Sequence, residues 1–348
     1  MTGDPFLSRR RFLERSASLG LALLGLNGCR AAEESTSTPP PPASQVAKAA
    51  PAREAAGRSK VVLVKNVAAV REKNQIDPAV VAEMLEKGLL ALTGAASVQA
   101  AWRTFVQPDD VVGLKINCLF GRGASTHPEV TWAVAQGLQQ AGVPAEQIII
   151  WDRSDGDLRK SGYPINRDGT GVKCYGTESD YEPNATSHGS FNGRLSKILT
   201  QQITALINIP ILKDHSCAGI TVSMKNHYGS FDNPAAHHAN NCDPYIADLN
   251  DLPVLREKTR LILCDALRPT AEGGPQYSPQ HVWTFGGLLL STDPVALDYW
   301  GWRIIEERRQ ETGLGTLEQA GRPPRQLASA AARGVGTNDP NRIDLVEV

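Results

Sequence analysis

Short runs of Val, Ile and Leu alternate with helix patterns along most of this chain of 348 residues, and this alternation limits the fold more than any other feature. Apolar runs of this length, bounded by polar residues, are typical of buried strands. Strands that alternate with helices form a mostly parallel sheet with helices on both faces, so the predicted fold class is α/β. The predicted strands are Val61–Val64, Val111–Leu114, Ile148–Trp151, Leu206–Ile209, Leu261–Cys264 and Gly287–Leu290.

Three helices carry recognisable start signals. An Asp-Pro pair opens the predicted helices Asp77–Leu92 and Asp293–Glu307, with Asp as N-cap and Pro at the first helical position. Thr126 and Glu129 have the spacing of a capping box, which predicts a helix that ends near Gly142.

Polar residues follow almost every predicted strand. In a Rossmann-like, doubly wound sheet the carboxyl ends of the parallel strands share one edge, and ligands bind in the crevice there. Helix capping explains Asp or Ser at such points, but it does not explain Lys or His. The sequence therefore predicts a site at this edge. The residues concerned are Lys115, Asn117, Asp152, Lys213, His215, Asp265 and Asp293.

Residues 213–229 are interpreted as a strand end, a turn and a helix that Gly229 ends as C-cap. Lys225 and His227 then lie in the last helical turn, where cations complement the helix dipole. That structural role and a role in the site both remain open for these two residues.

Three lysines, Lys115, Lys213 and Lys225, are predicted to form a cationic pocket for a carboxylate or phosphate group. The structural alternative is that they form salt bridges with nearby carboxylates. The candidate partners are Asp152, Asp214 and Asp265.

Nitrogen, sulfur and oxygen donors occur close together at His237, His238 and Cys242, a combination that suits zinc or another transition metal. Asp152 and Glu272 are further candidate ligands for a divalent or transition metal. Because the spacing matches no strong zinc pattern, a solvated loop is the alternative interpretation of residues 232–243.

The cysteines do not form a Cys-x-x-Cys motif, so no ferredoxin-type iron–sulfur cluster is expected. Cys118 and Cys217 follow predicted strands and are candidates for metal binding, for a disulfide, or for simple burial. The pairing of the cysteines after residue 29 stays open; they are Cys118, Cys174, Cys217, Cys242 and Cys264.

The first 28 residues resemble a twin-arginine export signal. Residues 8–13 place adjacent arginines before an apolar pair, and residues 16–26 form a short, moderately apolar core. Leu26–Cys29 resembles a bacterial lipobox, which predicts lipidation of Cys29. An amphipathic surface helix is the alternative, but Gly, Ser and Arg are scattered around all its faces.

Three segments are predicted from these features: a signal peptide (1–28), an Ala-, Ser- and Pro-rich tether (29–60) and a single α/β domain (61–348). The expected location is the periplasm or cell envelope, with the twin-arginine export machinery and the membrane as partners. Because the formal net charge is only −1, nucleic acid is not an expected partner.

Several segments together resemble a family known as domain of unknown function 362, over roughly residues 61–306. Some relatives carry ferredoxin-type cysteine motifs, which this chain lacks. The resemblance implies that Lys213, His215, Lys225 and Asn226 lie at the centre of the family pattern. The matching segments are Lys115–Asn117, Thr126–Glu129, Ile209–His215, Thr221–Asn226, Gly229, Ile246–Leu249, Asp265–Ala266, Glu272–Pro275 and Asp293–Asp298.

The leading functional hypothesis is an extracytoplasmic, metal- or cofactor-dependent enzyme that acts on a small anion. His215 is the predicted general acid/base, with Lys213 and Asp265 beside it. Asn117 and Asn226 are predicted to bind the substrate with the three lysines. The alternatives are a non-catalytic lipoprotein that binds a small ligand or supports a redox complex, and a structural envelope protein.

Overall fold

A computed structural model describes residues 57–348. The predicted signal segment, Cys29 and the tether up to residue 56 lie outside the described residues. All six predicted strands are present, and the fifth is longer than predicted. In chain order the strands are β1 (Ser59–Lys65), β2 (Val112–Ile116), β3 (Ile148–Trp151), β4 (Lys173–Cys174), β5 (Thr186–His188), β6 (Phe191–Gly193), β7 (Ala205–Ile209), β8 (Ile211–His215), β9 (Gly219–Thr221), β10 (Thr259–Thr270), β11 (Gly287–Ser291) and β12 (Ile343–Glu347).

One large sheet contains most of these strands, in the order β12-β1-β11-β10-β7-β2-β3-β4. Neighbours along this path are parallel, except that β11 runs antiparallel to both β1 and β10. The strand after β7 in the chain, β8, runs parallel to β10 and pairs with its second half. On its other side β8 pairs with β9, which is antiparallel to it. The predicted α/β class with a mostly parallel sheet is confirmed.

Helices cover both faces of this sheet, as the alternation along β1 shows. Val62 and Val64 join the core cluster that includes α1 and α3, while Val61 and Leu63 join the cluster that includes α8. Within the described residues, no helix has both the length and the hydropathy of a membrane span. The helices are α1 (Pro78–Thr93), α2 (Val98–Arg103), α3 (Pro128–Gln140), α4 (Asp155–Lys160), α5 (Ser223–Asn226), α6 (Tyr245–Asn250), α7 (Pro253–Lys258), α8 (Pro294–Glu311) and α9 (Gln326–Ala332).

The predicted capping box at the start of α3 is wrong. The N-cap residue is His127, and no side chain caps the helix. The Thr126 hydroxyl instead accepts a hydrogen bond from the Asn117 N–H (3.1 Å) and donates one to the Ile209 carbonyl (2.8 Å). Thr126 therefore ties the ends of β2 and β7 together.

The interpretation of residues 213–229 also needs correction. Lys213 and His215 lie within β8, and residues 216–218 turn the chain back into β9 rather than into a helix. The helix that comes later, α5, is a single turn followed by a 3-10 turn at His227–Ser230. Gly229 therefore lies inside that turn and is not a helix C-cap.

The residues after β11 lie at the opposite edge of the sheet, because this strand is antiparallel to its neighbours. There Asp293 accepts hydrogen bonds from the Val295 and Ala296 N–H groups at 2.9 Å each, as the predicted N-cap of α8. Its second carboxylate oxygen accepts from the Ser59 hydroxyl (2.6 Å) and the Thr337 N–H (3.0 Å). The predicted N-cap role of Asp293 is confirmed, but the prediction that Asp293 lies at the carboxyl edge of the parallel strands is wrong.

We expect Asp293→Ala to lower the free energy of unfolding by about 2 kcal/mol or more, because it removes a cap and two links to distant segments. Ser97→Ala is the matched control, since Ser97 caps α2 through one hydrogen bond to the Ala100 N–H. That control should cost about 1 kcal/mol or less in urea unfolding. Equal losses in the two variants would contradict the linking role of Asp293.

Candidate functional site

A cavity of about 290 Å³ lies at the carboxyl edge of the sheet, beside β8 and α5 and beyond the ends of β2 and β3. Five of the seven residues predicted to act in catalysis or anion binding line it; Lys115 and Asp265 do not. Aromatic rings of Phe120 and Tyr228 form part of the wall. The polar lining consists of Asn117, Asp152, Arg153, Asp157, Lys213, His215, Thr221, Lys225, Asn226 and His238.

A buried ion pair between Lys115 and Asp152 lies at the base of this cavity. The Lys115 Nζ donates to Asp152 Oδ1 (2.9 Å) and to the Ile116 carbonyl (2.7 Å). The other oxygen of Asp152 accepts a hydrogen bond from the Cys118 N–H (2.6 Å). The salt bridge that was the structural alternative for Lys115 is therefore the arrangement observed, and Lys115 does not line the cavity. Asp152 does line the cavity, and its metal role stays a prediction.

Gly229 lies directly against this ion pair. A Cβ atom built on Gly229 would come within 2.6 Å of the Lys115 Nζ and would collide with Asp152 Oδ1. Glycine is therefore required here by close packing against two charged side chains.

A chain of amide hydrogen bonds connects the cavity to this base. The Asn226 amide donates to the Lys115 carbonyl (3.1 Å) and to Asn208 Oδ1 (2.7 Å). Its own oxygen accepts from the Asn117 amide (3.2 Å), whose oxygen in turn accepts from the Lys213 Nζ (3.1 Å). Hydrogen bonds to other protein groups therefore hold the side-chain amides of Asn117 and Asn226 in place.

Lys213 is almost fully buried on β8, and among residues 57–348 no carboxylate lies within ion-pair distance of it. Its Nζ donates to Asn117 Oδ1 and to the Ala124 carbonyl (2.8 Å). Burial lowers the pKa of Lys213 to about 7, and the neighbouring Lys225 acts in the same direction. Opposite it in the β8–β9 hairpin, the Thr221 hydroxyl is buried and has no hydrogen-bond partner among the described residues.

Lys225 lies on α5 with its Nζ 3.5 Å from the centre of the Tyr228 ring and 3.3 Å from His238 Nε2. Burial lowers the pKa of Lys225 to about 8. The first turn of α5 is held by Asp298, which accepts from the Ser223 N–H at 2.7 Å. Lys225 therefore lies in the short helix α5 with its side chain lining the cavity.

His215 lines the cavity but is not suited to the predicted general acid/base role. Its Nδ1 accepts hydrogen bonds from the Cys217 N–H (3.0 Å) and the Ala218 N–H (3.2 Å). Burial, together with the charge of Lys225, lowers the pKa of His215 to about 2. The ring is therefore neutral near pH 7, with its proton on Nε2, and acts as a hydrogen-bond donor.

Asp265 was predicted to act beside His215, and this prediction is wrong. Its carboxylate accepts from both the N–H and the Nδ1–H of His127, each at 2.7 Å. Burial opposes the charged form of His127, but the Asp265 carboxylate raises the pKa of His127 above its ordinary value. Asp265 thus holds the start of α3 and does not line the cavity.

The predicted metal ligands do not form a metal site. Among residues 57–348, no three His, Cys, Asp or Glu side chains lie close enough to share an ion. His237 uses both ring nitrogens, with the Asn233 carbonyl (2.9 Å) and the Asn192 N–H (3.3 Å) as partners. Glu272 forms ion pairs with two arginines, and the Cys242 thiol is buried. The arginines are Arg309 and Arg322.

The comparisons with known proteins identify a family. A family model described as "Domain of unknown function (DUF362)" matches residues 112–303, more than half of the chain. The chain belongs to this family.

A crystal structure of a Thermotoga maritima protein, a target of the Northeast Structural Genomics Consortium, is similar to the DUF362 chain at 11% identity and a TM-score of 0.42. The match covers 69% of this chain and 60% of that one. No functionally curated protein matches the chain significantly.

The described cysteines of the DUF362 chain are all free thiols, so no disulfide joins Cys118 and Cys217. Cys118 is buried beside the Lys115–Asp152 pair, and Cys217 lies in the turn between β8 and β9. Burial raises the pKa of the Cys118 thiol, so it remains protonated.

Sequence reasoning missed three residues of the site. Arg153 is the second residue after β3, and its Nε is buried without a hydrogen-bond partner among the described residues. Thr221 begins one of the segments that match the family pattern, but its place opposite Lys213 depends on the unpredicted hairpin. Asn208 could have been found as the one polar residue within the buried run of β7.

We expect Gly229→Ala to lower the free energy of unfolding by about 1–3 kcal/mol, because the added methyl group would push the ion pair apart. Gly156→Ala is the matched control: it lies in α4, where a Cβ would come no closer than 3.8 Å to the Ser154 hydroxyl. Urea unfolding compares the two variants. A Gly229→Ala protein as stable as the control would show that the Lys115–Asp152 pair does not require glycine there.

Proposed function

We propose that this DUF362 protein binds a small anionic molecule in the cavity and acts on it there as an enzyme. One observation carries the proposal: the cationic side chains of Lys213, Lys225 and Arg153 converge on a cavity of about 290 Å³. A carboxylate or phosphate group is the complement of such a set of donors.

The charge balance of the cavity supports an anion. Asp152 is neutralised by Lys115, and Asp157 accepts a hydrogen bond from the Ser154 hydroxyl at 2.8 Å. Lys213 and Lys225 have no carboxylate partner at ion-pair distance in the described part of the chain. An incoming anion would therefore meet cations that no protein group has already neutralised.

Two polar groups without partners support the same proposal. Thr221 and Arg153 line the cavity, and the Thr221 hydroxyl and the Arg153 Nε are buried without a hydrogen bond among the described residues. Since a buried polar group without a partner costs about 1–3 kcal/mol, a ligand oxygen that accepts from them would gain binding energy.

Catalysis is the favoured use of the cavity because two amines with pKa values near neutrality are uncommon outside functional sites. A metal at the predicted ligands is not part of the proposal, since those side chains are bonded elsewhere. Non-catalytic capture of the same anion is the second candidate, and the two fixed hydrogen bonds of Lys213 favour it.

We also propose that the folded domain works outside the cytoplasm. The arginine pair Arg9–Arg10, the short apolar segment and Cys29 support export by the twin-arginine route and lipid attachment. The Pro-rich residues up to 60 would hold the domain away from the membrane surface.

Anion binding should weaken as the pH rises through the window set by the two lysines. Lys213 and Lys225 carry charge below their pKa values of about 7 and about 8, so binding takes up protons in that range. We expect the affinity for malonate or inorganic phosphate to be about ten- to a hundredfold weaker near pH 9 than near pH 6. Isothermal titration calorimetry on the mature chain at the two pH values measures this change in affinity.

Lys213→Met should weaken binding of the same probes by about 10- to 150-fold, because it removes one charge-assisted hydrogen bond of about 1.5–3 kcal/mol. Lys87→Met, which removes an exposed charge on α1, is the control and should bind as the native protein does. Equal affinity in all three proteins, or no saturable binding of malonate, phosphate or pyruvate to the native protein, contradicts the proposed function.

The export proposal predicts that replacing Arg9 and Arg10 by Lys leaves the protein in the cytoplasmic fraction. Cys29→Ala should still be exported but should lose incorporation of labelled fatty acid and leave the membrane fraction. Native protein that remains in the cytoplasm, or a Cys29→Ala protein that still incorporates label, would contradict it.

A further inference from the structure

The two cavity lysines differ in what their amines contact, and this difference points to a specific chemistry. The Lys213 Nζ is held by two oxygen acceptors, Asn117 Oδ1 and the Ala124 carbonyl. The Lys225 Nζ has no oxygen partner among the described residues; it lies over the Tyr228 ring and beside His238 Nε2. Lys213 is therefore held in place by its two hydrogen bonds, whereas no oxygen acceptor among the described residues holds the Lys225 amine.

The hydrogen bond between Lys225 and His238 has a defined direction. His238 Nδ1 lies 2.8 Å from the Pro234 carbonyl, which can only accept, so Nδ1 carries the ring proton. His238 Nε2 then has a free lone pair, and Lys225 is the donor at 3.3 Å. This geometry lets His238 take a proton from the ammonium group and leave a neutral amine.

A second ring lies parallel to His238. The centres of the His215 and His238 rings are 5.6 Å apart, and both rings line the cavity. Because His215 Nδ1 accepts two backbone hydrogen bonds, its Nε2–H is the group available to a ligand. A carbonyl or carboxylate oxygen bound between Lys213 and His215 would meet donors on both sides.

We infer that Lys225 forms an imine with the carbonyl carbon of a small oxo acid, and that His238 carries the protons for this step. The inference rests on the proposed function, because the anionic group of the substrate must be held by Lys213, Arg153 and Thr221 for its carbonyl to reach Lys225. The substrate class is thus a small molecule with a carbonyl group close to a carboxylate or phosphate.

The step balances without any further reactant. The neutral amine of Lys225 attacks the carbonyl carbon and forms a C–N bond, and His238 passes the amine protons to the carbonyl oxygen. The C–O bond then breaks, that oxygen leaves as water, and the imine remains. No oxidant or reductant is consumed. The protonated imine draws electrons from the neighbouring carbon, which favours loss of a proton or of carbon dioxide there.

Lys225 is suited to this step by its surroundings. Burial lowers its pKa to about 8, so an appreciable part of the amine is neutral near pH 7 to 8. Lys213, His215 and His238 are titratable groups that face it within the cavity, with Tyr228 beneath it and the Cys217 and Cys242 thiols nearby. At saturating pyruvate, where every chain has substrate bound, the rate of imine formation should therefore rise with pH up to about 8 and then level off.

Reductive trapping tests the inference directly. The mature protein is incubated with pyruvate as the probe, treated with sodium borohydride, digested and mapped by mass spectrometry. We expect one reduced pyruvyl group per chain on Lys225, and we expect excess malonate, which has the charge but no ketone, to suppress it. The native protein alone suffices for this test, so no variant has to fold.

Variants then separate the roles of the residues. Lys225→Arg removes the primary amine and should abolish trapping at this position, while His238→Gln should slow trapping by about a hundredfold or more. Lys87→Met should be trapped as the native protein is. Native protein that binds malonate but is labelled on Lys213, on exposed lysines or nowhere overturns the imine inference and leaves the proposed function standing; failure to bind malonate, phosphate or pyruvate overturns both.

Discussion

The buried ion pair between Lys115 and Asp152 is the contact on which the rest of the site depends. It joins the ends of two neighbouring parallel strands, and it is closed by the backbone of Cys118 and of Gly229. Removing one partner of such a pair leaves an uncompensated buried charge, which typically costs about 3–5 kcal/mol. The pair therefore forces α5 and its 3-10 turn to lie close to the sheet, which brings Lys225 and Asn226 to the cavity.

The other two lysines are in the opposite electrostatic situation. Lys213 and Lys225 are as buried as Lys115 is, but within the described residues neither has a carboxylate at ion-pair distance. Burial of an ammonium group without a counter-charge disfavours its charged form. Burial therefore lowers the pKa values of both lysines. The anion proposed as the ligand would supply the missing charge.

The sequence allowed the fold class and much of the site to be predicted, because strands with polar residues at their ends can be recognised locally. Asn117, Lys213 and Lys225 meet at one edge as expected. The direction of β11 and the hairpin of β8 and β9 depend on pairing between distant segments, so the positions of Asp293 and Thr221 could not be inferred from local patterns. The role of His215 was also hidden, since two backbone N–H groups from its own turn decide its protonation.

The most direct test of the uncompensated cavity lysines is a pH titration monitored by NMR. The side-chain methylene and amine signals of these lysines are recorded with and without malonate. The account predicts that Lys213 titrates near a pKa of about 7 in the free protein, and that malonate moves the titration well upward. A Lys213 that titrates near the ordinary lysine value in the free protein, and does not respond to malonate, would contradict the account.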